Sequence, residues 1–155
     1  MIYGYCTGKS QNQRKQALNI QKYYQDAVIY HNFGNKDFEK FLSLIKKNDT
    51  VVIDSVLCLG DSAKICYSNY CELYNKDINI VCLKENQINS DIYRTALVQA
   101  RNEVQWDERL MENSAKLYLM QIIRRQITNA FETTTERFKR SSQVRKDGIE
   151  AARKQ

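Results

Sequence analysis

The chain has 155 residues, 43% of them hydrophobic and 27% charged, with a net charge of +6, five cysteines, one histidine and no proline. That length suits a single sheet-and-helix core, and the composition is that of a soluble globular protein. No apolar run is long enough for a membrane-spanning helix, Met1 opens no signal-peptide pattern, and an odd number of cysteines without C-x-x-C spacing argues against a disulfide framework or a zinc site, so a reduced, cytoplasmic, metal-free protein with no cofactor and no membrane partner is expected.

Ile2 to Cys6 is an apolar run that predicts a buried strand. It breaks at Thr7-Gly8 into a short polar loop, and a helical pattern follows, with Ala17, Ile20 and Tyr24 on one face between Gln16 and Asp26. In α/β proteins a strand that ends in a loop and feeds a helix is where phosphate chemistry sits. Ala27 to Tyr30 predicts a second strand, and His31 to Asn35 a loop, with His31 at a strand end and without catalytic duty. Asp37 is placed to cap a helix carrying Phe38, Phe41, Leu42 and Ile45. Asn48-Asp49 marks a turn, and the apolar Thr50 to Ile53 predicts a central third strand. A second functional loop, Asp54 to Ser62, leads to a helix over Ala63 to Tyr74, a fourth strand over Ile78 to Leu83, and a helix from about Ile92 to Arg101 capped by Asn89-Ser90-Asp91. Strands alternating with helices predict an open, mostly parallel sheet of about four to five strands in a domain over residues 1–106. The segment around Trp106 is a candidate hinge.

Residues 107–155 are read as a long oligomerisation helix and a basic segment: from Asp107 the pattern is helical for about forty residues, and it becomes polar and basic over Thr133 to Arg145. Leu117, Met120, Ile123, Ile127, Ala130 and Phe131 make an apolar stripe, widened by Leu119 and Ile122. A small domain cannot cover so long a stripe, so Leu119, Met120, Ile123, Ile127 and Phe131 are expected at an interface with another subunit, although the first half also suits a core helix. Gly148 predicts a helix terminus or kink. Up to Glu108 the chain holds 13 basic and 13 acidic residues; from Arg109 onward it holds 11 basic and 5 acidic, so all the excess charge lies in the last third. A neutral body with a basic helical tail suits a polyanionic partner such as DNA, with Arg137, Lys139, Arg140, Arg145 and Lys146 facing phosphates; a solvated helix face is the plainer reading.

Two readings of the first loop compete. Gly8-Lys9-Ser10, with Val51 to Asp54 as a magnesium-binding strand, imitates a nucleotide-binding P-loop. That motif needs a glycine five positions before Gly8, where Tyr3 stands. The other reading rests on Ile2-Tyr3-Gly4-Tyr5-Cys6, the following helix with its spaced glutamines, Asp49 to Val56, Cys71-Glu72-Leu73-Tyr74, Ile80 to Glu85, Arg125 to Glu132, and Arg145 to Arg153. These segments resemble the serine recombinases of the resolvase/invertase family, and the resemblance spans nearly the whole chain. It implies a resolvase-like catalytic domain, a dimerising helix, and a segment leading towards a helix-turn-helix DNA-binding domain. The partners it implies are DNA and a second copy, or a related active recombinase, in a dimer or tetramer.

The family's chemistry is metal-free: a serine oxygen attacks a DNA phosphodiester, and arginines stabilise the phosphoryl charge with paired donors. Carried onto this sequence, the arginine position after Cys6 holds Thr7, and the serine position counted from Tyr5 holds Lys9. Ser10 becomes the nucleophile only with a one-residue shift of the loop, with Lys9 and Arg14 beside it. The two arginine positions of the Ser55-Val56 loop hold Cys58 and Asp61, and Lys36 is the cation nearest the place of another. The resemblance therefore implies a recombinase fold that has lost DNA cleavage and serves as a binding and assembly module. The alternatives are a recombinase still cleaving through Ser10, and the P-loop nucleotide binder.

Overall fold

The computed structural model describes residues 1–34, 37–103 and 108–153. Four strands alternate with helices: β1 Ile2–Thr7, α1 Ser10–Tyr23, β2 Val28–Asn32, α2 Asp37–Leu44, β3 Thr50–Ile53, α3 Ala63–Asn75, β4 Asn79–Cys82, α4 Ser90–Glu103 and α5 Glu108–Arg153. Two 3₁₀ turns, Val56–Leu59 and Asn86–Ile88, follow β3 and β4. The strands form one parallel sheet in the order β2-β1-β3-β4. Chain progression reverses direction between the adjacent strands β1 and β3, and the carboxyl ends of such a pair open a crevice.

Alternation along the strands divides the core into two layers. Tyr5, Val51, Ile53, Ile80 and Cys82 face the larger layer, which α2, α3, α4 and the first half of α5 cover. Cys6, Val52 and Ile29 face the smaller layer under Ile20 of α1. Gly4 lets α1 come close: a Cβ there would lie 2.6 Å from Ile29 Cδ1 and 3.0 Å from Ile20 Cγ2.

The predicted strands and helices are all present, with differences at their ends. α1 starts at Ser10, well before the apolar periodicity, because its first two turns are held by polar side chains and not by a buried stripe. β2 runs on through His31 and Asn32, which pair with Cys6 and Thr7 although neither is apolar. Trp106 lies outside the described residues.

In α5 the expectation of an intersubunit stripe is corrected at two positions. Ile123 and Ile127 have no exposed surface and belong to the chain's own core, with Leu119, Met120 and Phe131 packed partly against it. They meet this domain first because α5 lies across α3 and α4. From Thr135 onward every residue of α5 whose side chain is described is exposed. Nineteen residues from Thr135 to Arg153 make an arm about 28 Å long at 1.5 Å per residue. Of the two expectations at Gly148, the helix terminus does not occur: the helix continues to Arg153.

Candidate functional site: a carboxylate-lined cleft at the sheet's carboxyl rim

A cleft of about 640 Å³ opens at the carboxyl ends of β1, β2 and β3. Tyr5, Thr7, Gly8 and Lys9 contribute from β1 and its loop, Asn32 and Phe33 from the end of β2, and Cys58, Gly60 and Asp61 from the turn after β3. The start of α2 adds Glu39, and one face of α3 adds Ile65, Asn69 and Glu72, spaced four and three residues apart as helical neighbours are.

Buried polar clamps hold this rim. Gln13 of α1 is 1% exposed. Its Nε2 donates to the carbonyls of Gly8 and Asn32, each at 2.7 Å, and its Oε1 lies 2.8 Å from His31 Nδ1, which must then carry the proton. Gln16 closes a ring with Thr7, accepting from its N–H at 2.8 Å and donating to its carbonyl at 3.1 Å. On the other wall, Glu85 accepts from Ser55 Oγ at 3.0 Å and Val56 N–H at 2.9 Å, fixing the turn after β3. Gly60 is required by packing: a Cβ there would fall 2.4 Å from Ile65 Cγ2.

Several positions singled out in the sequence converge here. Thr7, Lys9, Cys58 and Asp61 all line the cleft; Ser10 and Arg14, both exposed on α1, do not. Lys36 lies outside the described residues. No arginine lines the cleft among the described residues, and its charged groups are one ammonium, Lys9, against three carboxylates, Glu39, Asp61 and Glu72. Among the described residues none of these carboxylates has a cation within 4 Å. Cys58 is buried, and burial pushes its thiol up to about 11, so at neutral pH it is not a nucleophile.

Sequence reasoning did not single out Glu39, Asn69 or Glu72 as lining residues. The i, i+4, i+7 spacing of Ile65, Asn69 and Glu72 was the available signal. No member of the set is a recognised motif, and their convergence depends on how α2 and α3 cross the sheet.

The geometry also bears on the P-loop reading. β1 ends at Thr7 and α1 begins at Ser10, leaving two residues between them. Two residues cannot wrap a phosphate with successive N–H groups. Asp54, the candidate magnesium ligand, is 6% exposed and already held by Lys84 Nζ at 2.6 Å and Asn19 Nδ2 at 3.0 Å. Among the described residues no group of three or more His, Cys, Asp or Glu is arranged to hold a metal ion.

The chain matches no protein-family model and no curated protein.

Proposed function

We propose that the chain is a serine-recombinase-like α/β domain that has lost DNA cleavage and works as an assembly module, engaging DNA or a recombinase through α5. The observation that carries this reading is the charge of the cleft. Thr7, Cys58 and Asp61, which the family resemblance assigns to phosphoryl chemistry, line one cavity that offers three carboxylates and no described guanidinium. A transferring phosphoryl group needs fixed cationic donors, and each missing donor costs about 3–4 kcal/mol of transition-state stabilisation. Ser10, the remaining candidate nucleophile, stands outside that cavity. What supports α5 as the binding element is an exposed arm that carries Arg137, Lys139, Arg140, Arg145 and Lys146.

The test is incubation with supercoiled DNA, followed by denaturing electrophoresis for a covalent protein–DNA adduct and by a native binding assay. Salt-sensitive retention of DNA with no adduct is expected. An adduct lost in Ser10→Ala would establish cleavage instead, and no retention at low salt would remove the DNA-binding part.

A further inference from the structure

We propose that the rim cleft is a binding site for a small organic cation, one that carries an ammonium or guanidinium group together with an oxygen acceptor. Three observations meet there. The cavity, about 640 Å³, falls within the size range of small-molecule sites and lies where the strand order reverses. Its carboxylates, Glu39, Asp61 and Glu72, come from three different elements, so a cation can be met from several sides. Helix starts at α1, α2 and α3 count for roughly half a positive charge each, which with Lys9 makes about 2.5 positive charges against three carboxylates among the described residues, a small negative excess.

The Phe33 ring, 74% exposed and part of the lining, offers an uncovered aromatic face of the kind that attracts cations. The oxygen acceptor is called for by Tyr5. Its side chain is 1% exposed and lines the cleft; the hydroxyl oxygen accepts from Asn32 Nδ2, but the hydroxyl proton has no acceptor among the described residues. Burial keeps this phenol protonated far above neutral pH, so it stands as a permanent donor. A carbonyl or hydroxyl on the ligand would complete it.

The inference rests on the same charge reading of the cleft as the proposed function, but not on the α5 arm. Calorimetric titration of the full chain at low salt, with argininamide, glucosamine and inorganic phosphate as separate probes, tests it. Binding of argininamide or glucosamine is expected. The combined Glu39→Gln, Asp61→Asn, Glu72→Gln variant should weaken it about tenfold or more, and Tyr5→Phe about threefold to tenfold, with melting temperatures showing that both variants fold. Argininamide alone would assign a peptide-like source, and glucosamine alone an amino sugar. Amide shifts of Gly8 and Gly60 in the unmodified protein, moving on titration, would place the ligand in the cleft without any variant. Binding of neither amine, or equal binding by the triple variant, overturns the inference and leaves the loss of cleavage standing. Binding of phosphate in their place overturns the inference and removes the charge argument from the proposed function as well.

Discussion

The two ends of α5 differ in composition and in fate, the first rich in apolar residues and the second mainly polar and basic. Ile123 and Ile127 are sealed in the core, whereas Phe138 and Ile149, on nearly the same helical face, are 73% and 58% exposed. Periodicity alone records which face is apolar and not what lies opposite, but the turn to polar and basic residues after Thr133 marks where the cover ends. The cover ends near Phe131, where the stripe ends, and Phe138, Val144 and Ile149 are the exposed large apolar residues beyond it among the described residues. The same helix is thus a fold element at one end and a free surface at the other, and substitutions should separate the two roles.

The largest effect is expected in the anchored half. Ile123→Ala or Ile127→Ala should destabilise the protein by about 2–5 kcal/mol in denaturant unfolding, the usual range for emptying a closed aliphatic site. Phe138→Ala should change monomer unfolding by less than about 0.5 kcal/mol. A large loss on Phe138→Ala would mean that the arm is covered after all, and dilution-dependent unfolding would show by what.

Next comes the rim beside the core. Gln13→Ala removes three hydrogen bonds and leaves the Gly8 and Asn32 carbonyls without their shared donor, a loss of about 2–3 kcal/mol. The same measurement that ranks Ile123 ranks it.

A pH scan sharpens the contrast from the core side. Burial pushes the thiols of Cys6 and Cys66 up to about 12 and that of Cys58 up to about 11. The folded chain therefore keeps protons that the unfolded chain gives up from about pH 8.5. This contribution is complete below that pH and is lost as the pH rises through about 11 to 12. Thermal melts should weaken across that window, and alkylation of Cys58 at pH 8 should proceed only on unfolding.

The smallest effect on stability, and the one most specific to the arm, is expected from Arg137→Ala, Lys139→Ala and Arg140→Ala together. Melting should hold, while the logarithmic salt dependence of DNA retention should flatten by roughly three, about one for each phosphate left without its cation.

Much of the fold was legible in the sequence. Thr50 to Ile53 is uniformly apolar and forms a strand with those same bounds, and Ala63 to Tyr74 shows its helix through a clear stripe. The start of α1 was hidden because Gln13 and Gln16 anchor it with hydrogen bonds, which leave no periodic trace. Part of the cleft was anticipated too: the family resemblance singled out Thr7, Lys9, Cys58 and Asp61, in the loops that follow β1 and β3. The carboxylate wall was not, because Glu39 and Glu72 belong to ordinary solvent-facing positions of helices. Only the crossing of α2 and α3 over the sheet turns them towards a common space.

The amide of Gln13 fastens the first loop to the neighbouring strand, and Glu85 fastens the opposite bank. With both banks staked, the opening has little freedom to tighten around a guest. Its selectivity must then already be set before anything enters, and a poor fit would be refused and not accommodated.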